Sequence, residues 1–169
     1  MLAFIVATIA SAVMYAIDKD VVVELTDVPS SDSGAPEPAL FVDERRVVLA
    51  YFKSPADEGQ IAYINFLHCW AHYFGGPNDE TLHGHPLYTR GLKPYAIAEV
   101  KTSSWIRSLE RINSVHPHHN PERFQRLRHF IFAFHDSMFE CVAESFQAST
   151  DSRKHKTPSE GLLEFLKQG

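Results

Sequence analysis

No lysine or arginine precedes Lys19, and cysteine occurs only at Cys69 and Cys141. No glycine-rich phosphate loop, dinucleotide fingerprint, Gly-x-Ser-x-Gly or Cys-x-x-Cys occurs anywhere in the chain. Each absence closes off a class. Two cysteines cannot build a disulfide scaffold and fit a reducing compartment. With 16 basic against 21 acidic side chains, the chain lacks the concentrated positive charge of a dedicated nucleic-acid binder, so no nucleic-acid partner is expected. A secretory leader should open with a basic residue, and this chain does not. What it does have is bulk: 12 Phe, 6 Tyr and 2 Trp in 169 residues exclude a wholly disordered chain. That length suits one domain, able to bury roughly two-thirds of its unfolded surface without a staple. The unusual count is 10 histidines.

Residues 1–17 (MLAFIVATIASAVMYAI) carry no charge. They sit at the bottom of the length range that spans a bilayer as a helix, and no flanking basic cluster sets an orientation. The segment reads as a core element of the domain, an anchor, or, with Met14 as the true start, an upstream extension. A cytoplasmic protein is the preferred reading, with a membrane involved only if residues 1–17 anchor it. Residues 18–169 then form a single α+β domain.

Val21–Val28 is β-branched and reads as a strand. Pro29–Pro38 reads as a loop, and Ala39–Phe52 as a hairpin around Asp43-Glu44. Ile61–Phe74 is apolar and aromatic and favours a strand, followed by a long Gly/Pro/His loop over Gly75–Pro94. Tyr95–Lys101 alternates as a short strand, and Ser103 or Ser104 caps a helix over 103–113. Asn120-Pro121-Glu122 starts a helix that either continues through Phe124, Leu127, Ile131, Phe134 and Met138 or, in the preferred reading, is short and gives way to two strands through His129–Phe134 and Met138–Ala143. Gln147–Lys156 reads as a polar linker. Thr157-Pro158-Ser159-Glu160 is a capping box that opens a C-terminal helix. The expected architecture is one antiparallel sheet, with the C-terminal helix packed beside the 103–113 helix.

The histidines supply the candidate chemistry. His68 and His72, four apart, fall on one face of either a strand or a helix and make half of a zinc-type site, zinc or another divalent transition metal being the candidate ion. Hydrogen-bonded core histidines are the simpler reading of the same pair. A third ligand would come from His85 in His83-Gly84-His85-Pro86, from His118 in His116-Pro117-His118-His119, or from His135. The long loop, the His116–Asn120 loop and the His135–Ser137 turn can gather at one sheet end. That predicts a pocket holding His72, His85, His118 and His135, with Asp136 or Glu140 orienting an imidazole. Scattered loops are the competing expectation. Glu140, among apolar neighbours, needs a partner if buried. His135-Asp136-Ser137 reads as a turn rather than a triad, and Cys141 as an inert core thiol rather than a nucleophile.

Gly76-Pro77-Asn78-Asp79-Glu80, Gly84-His85-Pro86-Leu87, Ser103-Ser104-Trp105 and Arg128-His129-Phe130 through Phe134-His135-Asp136-Ser137-Met138-Phe139-Glu140-Cys141 resemble a group of small proteins of unknown function. The resemblance covers about residues 75–145 and implies no activity. With every catalytic fingerprint missing, the expected function is a small interaction or accessory domain that meets a protein partner or a small molecule. The alternative is a metal-dependent, hydrolase-like enzyme using the histidine cluster. A homo-oligomer is left open.

Overall fold

The computed structural model describes residues 18–54 and 59–168, and the apolar segment 1–17 lies outside them. Beta-branched and aromatic runs make nine strands among the described residues. In chain order these begin β1 (Val21–Glu24), β2 (Ala39–Val42), β3 (Val47–Phe52), β4 (Ile61–Leu67), β5 (Ala71–Gly75) and β6 (Ile97–Lys101). Helices α1 (Ser104–Asn113) and α2 (Pro121–Gln125) follow, then β7 (Arg128–Ala133), β8 (Met138–Ala143), β9 (Ser145–Asp151) and α3 (Pro158–Lys167).

The strands form two antiparallel sheets, ordered β1-β6-β7-β8-β5 and β2-β3-β4-β9. Aromatic side chains fill the space between them. Leu49, Tyr51, Ile64 and Phe66 of one sheet meet Phe130, Phe132, Phe139 and Cys141 of the other. Both outer faces are covered as well. Leu82, Leu87 and Leu92, from the segment before β6, lie on Ala98, Val100, Ile131, Ala133 and Met138. Next to them, Trp105 of α1, Phe124 of α2 and Leu127 cover Val142. On the far side of the molecule, Leu162 of α3 covers Val48, Ala50, Ile61 and Tyr63. Covering on both faces explains why β3 and β8 are buried at every position and read as continuous apolar runs, without alternation.

The α+β class, the hairpin around Asp43-Glu44, the helix capped by Ser103 and the C-terminal helix are all present. So is the hairpin of β7 and β8, closed where Phe134 N–H donates to the Ser137 carbonyl at 2.8 Å. Four expectations are corrected. The single sheet is two, and α1 and α3 lie against different sheets, so they are not neighbours. Ile61–Phe74 is two strands, broken at His68, whose backbone is left-handed (φ 52°). The break passes the chain from one sheet to the other, a change of direction that an apolar run does not signal. The supposed linker overlaps most of β9, which pairs with β4 from Leu67 to Ile61. As an edge strand with mostly exposed side chains, β9 carries loop-like composition.

Candidate functional site

On the outer face of β7 and β8, covered by the segment before β6 and by α1 and α2, the side chains should all be apolar, as Ile131, Ala133, Met138 and Val142 are. Two are not. His129 stands opposite Val142, and Glu140 opposite Ile131, which makes them diagonal neighbours on one face. His129 Nε2 lies 2.8 Å from Glu140 Oε2, with both residues buried. The other ring nitrogen, Nδ1, lies 2.9 Å from the Ser103 hydroxyl. With Glu140 as a carboxylate and the ring neutral, Nε2 carries the hydrogen, Nδ1 presents its lone pair, and the Ser103 O–H donates to it. Ser103 Oγ in turn accepts from the Ile106 N–H at 3.3 Å as the cap of α1. Trp105 meets the His129 ring edge to face, with centroids 5.1 Å apart, and fixes its plane. Glu140 has a second imidazole: His85 Nε2 is 3.5 Å from Oε1, while His85 Nδ1 accepts from the Leu87 N–H at 3.2 Å.

A carboxylate and two imidazoles in an apolar layer are expensive to desolvate, and well-packed hydrophobic residues of similar volume often serve stability as well or better.

Ser103 also lines a cleft of about 670 Å³. The turn from β6 to α1 shapes it: Thr102 is left-handed (φ 50°), its hydroxyl donates to the Lys19 carbonyl, and its own carbonyl accepts from Arg107. Buried Asp20 holds the start of α1, accepting from the Ser104 N–H at 2.6 Å. Lys19, Lys101, Arg107, Arg126 and Arg128 put positive charge on the walls, and Ile106, Phe124 and Leu127 supply apolar surface. Arg107 also reaches Asp18 at 2.7 Å. Glu99 sits between Lys101 (2.7 Å) and Arg128 (2.5 Å). Burial pushes its carboxyl upward, but the bonds to Arg128 and Lys101 outweigh burial and hold it below its ordinary range.

The five histidines proposed as metal ligands do not gather. His68 pairs with Glu144 at 2.9 Å on an exposed edge, and the break in the chain there leaves it apart from His72, which is exposed on β5. His85 is in the buried chain just described. His118 lies beside His116, with ring centroids 5.8 Å apart. His135 Nδ1 is 3.0 Å from Asp79 Oδ2 and 3.2 Å from the Tyr95 hydroxyl. Asp136 stays in the hairpin turn. Among the described residues, no three His, Cys, Asp or Glu side chains come together in a way that could hold a metal ion. Cys141 is also unsuited to attack, since burial pushes its thiol well above its ordinary value.

Sequence reasoning missed Ser103 and His129 as members of a site. The available signal was a histidine and a glutamate at sheet-covering positions of two paired apolar strands, each requiring a polar partner.

No family model, curated protein or solved structure matches the chain. No helix of the described residues is long and apolar enough to cross a membrane.

Proposed function

We propose that the chain is a small ligand-binding accessory domain whose cleft at the start of α1 takes a small anionic molecule with an apolar body. The observation that carries this reading is the lining: five cationic side chains against one carboxylate, above the apolar floor of Ile106, Phe124 and Leu127. Small-molecule sites characteristically join apolar surface to a few placed polar groups, and phosphate or carboxylate ligands are met by arginine and lysine. A cytoplasmic setting belongs to the proposal, in keeping with two free thiols.

Phenyl phosphate is a suitable probe. Titrated into the full chain and followed by amide chemical shifts, it should perturb Ile106 and Leu127 saturably and bind more weakly as salt rises. Lys19 and Arg126 are exposed on the rim, so the double variant K19E/R126E should fold normally. It should weaken binding about tenfold, the effect of roughly 1.4 kcal/mol lost across two exposed charge contacts. Equal affinity in the double variant, or shifts confined to another face, would overturn the reading.

A further inference from the structure

We infer that Ser103 is a nucleophile, activated by His129 and Glu140, that acts on an ester bearing an anionic group held in the same cleft. This rests on the binding reading above and takes it one step further, from holding the ligand to cleaving it.

The geometry has the three relations that nucleophilic catalysis requires. The hydroxyl of Ser103 lies 2.9 Å from an imidazole nitrogen that is oriented to accept its proton. The imidazole is oriented in turn by a carboxylate at 2.8 Å. Ser103, itself only 4% exposed, is among the residues that line the cleft, and its base and the carboxylate are more deeply buried. Roles and distances define such a triad, independently of sequence order. Serine reaches Nδ1 here and glutamate reaches Nε2; in a neutral imidazole either nitrogen can be the acceptor while the other carries the hydrogen, and the contact to Glu140 selects Nδ1 as the acceptor. A satisfied helix cap would need only Ser103. The buried His129–Glu140 pair behind it has no part in capping, and it is what turns a cap into an activated hydroxyl.

The reaction balances with water as the only co-reactant. Ser103 Oγ attacks the ester carbonyl carbon and passes its proton to His129 Nδ1. The bond from that carbon to the leaving oxygen then breaks, and the imidazolium returns the proton to the departing alcohol. Water repeats the sequence on the acyl-serine, giving up a proton to His129, releasing the carboxylic acid and restoring the Ser103 hydroxyl. Glu140 touches no reacting atom. It is a positioning residue, holding the tautomer in which Nδ1 is the acceptor, and His85 braces its other oxygen. Lys101, Arg126 and Arg128 surround the place where the anionic group of the ester would lie.

A neutral fluorophosphonate tests this directly, because it phosphonylates only an activated serine and releases fluoride. The full chain, treated with the probe and digested, should carry one equivalent on Ser103. S103A should abolish labelling and S104A should retain it. E140Q, checked for folding by circular dichroism, should label at least tenfold more slowly, and E140D should recover part of the rate. If E140Q does not fold, H85Q, which leaves the Ser103–His129–Glu140 contacts in place, should label at least threefold more slowly. Wild type that is folded but not labelled at Ser103 would overturn the inference, as would labelling at the same rate in folded E140Q. The two readings separate in the wild-type chain, where saturable phenyl phosphate binding together with Ser103 labelling supports both. Phenyl phosphate binding without labelling sinks the nucleophile alone. Labelling without phenyl phosphate binding sinks the anionic cleft and, with it, the anionic ester.

Discussion

Glu99 shows how the cleft holds its charges in place. Its carboxylate is nearly buried, yet two cations keep it ionised, so its folded value lies below that of the unfolded chain, whose ordinary value is near 4.5. A depressed carboxyl contributes stability above the unfolded value, and that stability is lost as pH falls through the folded value. E99Q should therefore unfold at lower temperature than wild type at pH 7, by an amount corresponding to about 1 kcal/mol for contacts this exposed on the cationic side. The gap should close as both are taken below pH 4.5. Thermal melts across that range check it; a gap that stays constant to pH 3 would mean that charge pairing is not the source.

The pairing of Asp79, Tyr95 and His135 belongs to the same scale. The Tyr95 hydroxyl donates to Asp79 at 2.5 Å, and this bond, with His135 adding to it, lowers the Asp79 carboxyl while the Tyr95 phenol is raised. Tyr95 sits in a left-handed backbone (φ 61°), a conformation that bulky residues rarely adopt unless their surroundings hold them there. The contact ties the covering segment 79–95 to the β7–β8 turn, where Asp79 N–H also donates to the His135 carbonyl.

At the scale of elements, α3 reaches its sheet through one small residue. Thr157 caps the helix and Pro158 opens it, as the capping box requires. Gly161 then faces β4 so closely that a Cβ there would lie 2.5 Å from both Ile61 Cδ1 and the Tyr63 hydroxyl oxygen. Alanine would gain helix propensity, worth about 1 kcal/mol over glycine. Crowding in a packed layer costs about 1–3 kcal/mol, so the balance is a net loss. G161A should lower the melting temperature by about 2–4 °C per kcal/mol lost, in a chain of this size. A rise would mean that Phe165, stacked on Tyr63 at 4.6 Å, lets the helix move away without penalty.

Phe66 governs the molecule as a whole. It touches Phe130, Phe132, Phe139 and Phe146, with ring centroids between 5.3 and 6.4 Å, and so joins both sheets through one side chain. F66A should cost about 3–5 kcal/mol, a large share of the 5–15 kcal/mol typical of a whole domain. Urea unfolding should show a lower midpoint with little change in slope, because the surface exposed on unfolding is nearly the same. A midpoint close to that of wild type would mean that the two sheets close over the gap.

Local patterns in the chain were enough to determine several parts of this protein. Ser103, Asn120 and Thr157 each stand before a helix as a cap, because a side-chain acceptor three residues or fewer from an N–H is a purely local match. The apolar runs at 129–134 and 138–143 favour paired strands, but their spacing also allows one long helix, and only the pairing of β7 with β8 decides between them. The break at His68 was not legible, because a sheet-to-sheet crossing depends on where the second sheet lies. Nor was β9, whose polar side chains conceal a ladder made wholly by its backbone. The site was half legible: Glu140 required a partner wherever it was buried, but nothing local could choose among 10 histidines. Strand register made the choice, placing His129 diagonally across from Glu140 and leaving His72, His118 and His135 in other places. A 2.8 Å contact between residues 11 apart in sequence exists only once two strands have paired in one register and one face has been sealed by a helix.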